Sequence, residues 1–180
     1  MDRPTRSTTG KDKGLEVWFD VLPEVRMDRI PMRTVVLHFK NASKDPIRIY
    51  LPQAEAFRAN ISTIVMRAGD AVIAVPEPHP HGYTVTEIDF PLIAPGEEKS
   101  VLQPFSLDPM VPGPGTATLR RPGFEAGKSV AVRWSYDNSI TRWQGGAQTL
   151  DGPTKSLFEG KDIPYIWTGK LSVEATWVVP

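Results

Sequence analysis

The sequence predicts an all-β protein, an antiparallel β-sandwich of roughly seven or more short strands joined by long Pro- and Gly-rich loops. Two observations carry this. Apolar and polar residues alternate with a period of two in one segment after another, the mark of strands buried on one face. The 18 prolines and 14 glycines are spread between those segments, leaving few stretches long enough for a helix. At 180 residues the chain is long enough for one domain with a sizeable core.

Residues 1–14, MDRPTRSTTGKDKG, are polar and lack periodicity, so they read as a flexible tail ahead of a single domain spanning 15–180. The first strand expected is Leu15–Leu22, with Leu15, Val17, Phe19 and Val21 on one face and Glu16, Trp18 and Asp20 on the other. Pro23 closes it. Met32–Lys40 follows, with Val35, Leu37 and Phe39 alternating against Val36, His38 and Lys40. It runs into the turn formers Asn41 to Pro46 and then into Ile47–Leu51, read as a neighbouring strand or the far side of a sheet-crossing corner.

Further strands are expected at Ile61–Arg67 and Ala71–Val75, hinged at Gly69-Asp70, and at Tyr83–Phe90. Ala94-Pro-Gly-Glu97 is a turn feeding Lys99–Leu107. Lys128–Tyr136 should point Val130, Val132, Trp134 and Tyr136 inward; Trp167–Val179 should do the same with Leu171, Val173, Ala175, Trp177 and Val179. Gln53–Ala59 is the one short helix candidate, and the 108–127 and 137–165 segments read as long loops.

Three stretches resemble bacterial immunoglobulin-like or fibronectin-type-III-like modules: VVLHFKNASKDPIRIYLP (35–52), IAPGEEKSVLQPFSL (93–107) and WTGKLSVEATWVVP (167–180). The resemblance covers about half the chain and implies fold rather than function. Such modules mostly serve adhesion, spacing and the binding of proteins or carbohydrates, which is what it implies here. The Cys pair of antibody domains is missing, so packing of Trp and Phe must supply the stability.

The absence of cysteine removes disulfides, thiolate metal sites and thiol catalysis. The 21 basic and 21 acidic residues balance, which argues against a nucleic-acid partner. No apolar run reaches the roughly 18 residues that span a bilayer. The first residues carry no apolar signal segment, so the chain is read as cytoplasmic or as following a removed signal.

No nucleophile elbow, phosphate-binding loop or singled-out carboxylate pair is present, so no catalytic residue is assigned and the chain is read as a non-enzyme without a cofactor. A non-catalytic accessory module binding another protein is the leading reading. Trp143 in the loop ITRWQGGAQ, beside Arg142, is the main candidate anchor; Tyr136 at the head of that loop and Trp18 on the polar strand face complete the set. The same aromatics can stack on a sugar, so a carbohydrate-binding module is the alternative. His79 and His81, two residues apart in PEPHPHGY, give a third reading as ligands for copper or zinc. Asn41-Ala-Ser43 and Asn60-Ile-Ser62 match a glycosylation tripeptide that arises often by chance.

Overall fold

The computed structural model describes residues 4–23, 25–27, 30–52, 61–75, 87–105, 123–142, 148–149, 152–153 and 161–179. In chain order its strands are β1 (Thr5–Arg6), β2 (Gly10–Asp12), β3 (Leu15–Val21), β4 (Val25–Met27), β5 (Ile30–Asn41), β6 (Ile47–Arg48), β7 (Ser62–Ala68), β8 (Ala71–Val75), β9 (Leu92–Ile93), β10 (Glu98–Phe105), β11 (Ser129–Asn138), β12 (Gln148–Thr149), β13 (Gly152–Pro153) and β14 (Gly169–Val178). One sheet has the order β1-β3-β5-β10, with β2 also on β3 and β4 also on β5; the other has the order β14-β11-β7-β8. Every pairing between these strands is antiparallel.

The period-two pattern does what it should. Leu15, Val17, Phe19 and Val21 of β3 and Val35, Leu37 and Phe39 of β5 are buried. They share one apolar cluster with Ile64 and Met66 of β7, Val130, Val132, Trp134 and Tyr136 of β11, and Leu171, Val173 and Trp177 of β14. The two sheets therefore lay their inner faces over a common core. At its centre Phe39 stands edge-on to Trp134 (5.2 Å) and Tyr136 (5.3 Å), and Tyr136 stacks on Trp167 (5.4 Å). Edge-to-face pairing puts a ring's positive rim on its neighbour's negative face. The buried polar tips are answered: Trp134 Nε1 donates to Ser62 Oγ (2.8 Å) and Trp167 Nε1 to the Asp12 carbonyl (3.0 Å).

The turns also follow their chemistry. Ala94–Glu97 is closed by Glu97 N–H on the Ala94 carbonyl, while the Glu97 carboxylate accepts from Ala94 N–H, which holds that carboxyl below its ordinary range. Asn41, buried at the end of β5, donates through Nδ2 to the Asp45 and Ile93 carbonyls and accepts at Oδ1 from Ser43, so its side chain is consumed by the corner it builds.

Three expectations are corrected. The N-terminal segment is not a free tail: β1 and β2 pair with β3, Ser7 N–H bonds the Phe19 carbonyl, and Thr8 N–H bonds the Glu174 carbonyl of β14. Residues 4–14 thus stitch the first sheet to the edge of the second. Lys13 (φ 46°) and Gly14 (φ 81°) form the two-residue turn between β2 and β3. A Cβ on Gly14 would lie 2.6 Å from Ser43 Cβ, so this position needs glycine twice over.

The described end of Tyr83–Phe90 is a 3-10 turn, Glu87–Asp89, rather than a strand. Ile47–Leu51 shortens to β6; of its two expected arrangements the corner is the one found, since β6 pairs with β9 and not with β5, the Asn41 corner carrying the chain away from the first sheet. The helix candidate Gln53–Ala59 lies outside the described residues, as does most of the 108–127 loop.

Candidate functional site

One end of the molecule gathers three segments that have little regular structure of their own: 87–93, 139–142 and 161–168. Asn138, the last residue of β11, joins two of them. Its Nδ2 donates to the Trp167 carbonyl (2.7 Å) and its Oδ1 accepts from Ile140 N–H (2.9 Å). Ile163 N–H then reaches the Thr141 carbonyl, and Arg142 and Asp162 form an antiparallel bridge. The third segment is tied through Arg48, whose backbone N–H and carbonyl bond Tyr165 and Trp167 while its Nη1 donates to the Phe90 carbonyl (2.7 Å).

Beneath this frame lies a second, smaller core. Tyr50 stacks on Phe90 (4.9 Å) beside Ile163, with Ile61, Ile140 and Ile166 packed against them. The hydroxyl of Tyr136 links it to the main core, accepting from Tyr50 N–H (3.1 Å) and donating to the Tyr50 carbonyl (3.0 Å). Burial pushes the Tyr136 hydroxyl far above its ordinary range, so it stays a neutral donor and acceptor.

Above the frame stands Tyr165. It is 61% exposed and holds a positive φ of 62°, with its carbonyl fixed by Arg48 N–H. Pro164 sets the turn before it. A left-handed conformation costs a non-glycine residue about 1–2 kcal/mol. Here that cost is borne by a large apolar ring left in water. Exposed Ile88 and Leu92 belong to the same end.

The sequence candidates divide. Arg142 is exposed and sits in this frame through its bridge to Asp162. Tyr136 does not line the loop surface expected of it: strand alternation directs its ring inward, where it is fully buried. Trp143, His79 and His81 lie outside the described residues. Among the described residues no group of three or more His, Asp and Glu is placed to hold a metal ion. Nor is any helix among them long and apolar enough to cross a membrane. Tyr165 escaped the sequence reading because neither its φ nor its exposure leaves a mark in the string; Pro164 preceding an aromatic was the only available signal.

Trp18 is placed elsewhere, on the outer face of the first sheet. Cross-strand register sets it opposite His38, and the rings stack at 4.9 Å and 4°. Around them Arg6 grips Asp20 with two hydrogen bonds of 2.9 Å, and Asp20 Oδ2 lies 3.1 Å from His38 Nε2 without hydrogen-bond alignment. The other nitrogen, Nδ1, is 2.8 Å from Glu98 Oε1 and 3.0 Å from Ser100 Oγ. Serine, histidine and carboxylate thus meet, but Glu98 competes with Ser100 for Nδ1. Arg6 in turn holds the Asp20 carboxyl below its ordinary range. No protein-family model, curated protein or solved structure matches this chain.

Proposed function

We propose that the chain is a non-catalytic, immunoglobulin-like β-sandwich module that binds another protein through the loop end around Tyr165. Two antiparallel sheets over one core support the fold half of this reading. The observation that carries the functional half is Tyr165 itself, a strained and exposed aromatic whose carbonyl is held by Arg48 N–H. Strain concentrates at functional sites, and Tyr is a preferred interface anchor because it offers much contact area at small entropic cost. Arg142, Ile88 and Leu92 supply a polar and apolar surround.

Tyr165→Gly tests this directly. Glycine relieves the positive φ, so folding stability should stay level or rise by about 1 kcal/mol in urea denaturation. Contact with the partner should fall at the same time. A photo-crosslinking residue placed at 165 in cells should yield a discrete protein adduct that the same residue at Asp70, in the turn at the opposite end, does not. Equal labelling from both positions, or binding of a glycan array abolished by Tyr165→Gly, would overturn the reading, the latter in favour of a carbohydrate ligand.

A further inference from the structure

The outer face of the second sheet carries an open concavity of ≈ 610 Å³ that the loop-end reading does not use. Antiparallel register lays out its lining. One row across the sheet runs Thr176, Ala131, Arg67, and the next runs Glu174, Arg133, Val65. Ala131 ends at its Cβ and forms the floor; the long side chains of Arg67, Arg133 and Glu174 rise around it. Backbone groups here are spent on the sheet ladders, so a ligand must be recognised by side chains.

The charge is not balanced. Arg133 donates through Nε to Ser172 Oγ (2.8 Å) and stands 3.6 Å from Glu174 Oε1. Arg67 has no ion pair among the described residues. Two guanidinium groups thus face one carboxylate. Since Arg133 lies opposite Val65, Arg67 is its diagonal neighbour, two residues along β7. Diagonal neighbours across an antiparallel pair stand roughly 7–8 Å apart. Side chains two apart on an extended peptide are spaced by about 6.8 Å, twice the rise per residue. The two spacings agree.

We propose that this groove binds an acidic, extended peptide segment, with two carboxylates of a Glu-x-Glu pattern placed on Arg67 and Arg133. Ser135 and Thr176 offer hydroxyls to the peptide backbone, and Val65 offers an apolar contact. A peptide is favoured over an acidic sugar because the lining holds no aromatic ring for a pyranose to stack on.

The test is fluorescence anisotropy of the full chain with a labelled Ser-Glu-Ser-Glu-Ser peptide at low salt. Binding should weaken about tenfold in Arg67→Ala and in Arg133→Ala, the worth of one charge-assisted contact. It should tighten severalfold in Glu174→Gln, which removes the competing carboxylate. A Ser-Glu-Glu-Ser-Ser peptide, whose carboxylates point to opposite faces, should bind more weakly. These side chains are exposed, so circular dichroism and thermal melts should match the parent protein. No binding by the parent, or affinity held within threefold by the Arg67→Ala, Arg133→Ala double variant, overturns the proposal. So does equal or tighter binding of oligogalacturonate, which would assign the groove to acidic sugars.

Discussion

The two sheets turn very different outer faces to the solvent, although both carry arginines beside carboxylates. On the first sheet Asp20 and His38 keep only 11% and 14% of their side-chain surface exposed, His38 under the Trp18 ring, while Arg6 meets Asp20 from water at 64%. On the second, Arg133 and Glu174 keep 60% and 67%. Coulomb attraction at a given distance grows as water is excluded, and exposed pairs contribute little. The first cluster therefore works as a clasp, and the second face stays available to a ligand. What closes the clasp is the N-terminal segment, because Arg6 is delivered by β1 and Thr8 then crosses to Glu174 of β14. Similar residue types, placed on opposite outer faces, serve stability in one place and offer recognition in the other.

The sharpest way to break that contrast is Asp20→Ala. It strips Arg6 of two charge-assisted hydrogen bonds and leaves His38 facing Glu98 alone, at a cost of about 2 kcal/mol. Urea denaturation measures the loss. Amide exchange at Ser7 and Thr8 should quicken along with it, since β1 loses its side-chain anchor. A change under about 0.5 kcal/mol, the ordinary surface value, would mean that the clasp is ornamental.

Acid should open the same clasp. The folded-state pKa of Asp20 lies below its unfolded value, first because of the Arg6 hydrogen bonds and then through the charges of Arg6 and His38, against the opposing effect of burial. Its contribution is complete above the unfolded value of about 3.9 and is lost as pH falls through the depressed folded value. The stability gap between the parent protein and Asp20→Asn should therefore be widest near neutral pH and shrink steadily below about pH 4. A gap that stays constant down to pH 2 would contradict the assignment. Trp18→Ala sits one step lower, at about 1 kcal/mol, for the lost stack on His38 and the wetting of the cluster.

Much of this fold is legible in the sequence because alternation is a local signal. Leu15 to Val21, Val130 to Tyr136 and Leu171 to Val179 each announce their buried face without help from distant residues. The stitching is not legible. Thr5–Arg6 and Gly10–Asp12 are too short and too polar to show a period, and they exist because β3 and β14 supply partners from elsewhere in the chain. Clasp and groove share that opacity. Trp18 meets His38, and Arg67 falls diagonal to Arg133, only once register is set between strands far apart in sequence. Glu87–Asp89 shows the converse failure: a short run passes for a strand, but Phe90 N–H closes back on the Glu87 carbonyl and makes a 3-10 turn of it. Tyr136 shows how alternation and site reasoning can conflict. Its position in the pattern assigned it to the interior, and the interior is where it lies.

The smallest expected effect is the one that isolates the second face. Arg133→Ala removes a hydrogen bond to Ser172 and a loose pair with Glu174, both in contact with water. Such pairs contribute about 0–1 kcal/mol, and salt screens what remains. The variant should unfold within about 0.5 kcal/mol of the parent, and raising the ionic strength should erase even that difference. Asp20→Ala, a change of the same kind on the opposite sheet, should keep the larger part of its deficit in high salt because the Asp20 carboxylate and His38 are themselves mostly buried, although Arg6 reaches them from water. If Arg133→Ala instead proves as costly as Asp20→Ala, the second face is holding the sheet together rather than being held ready, and the division between clasp and groove fails.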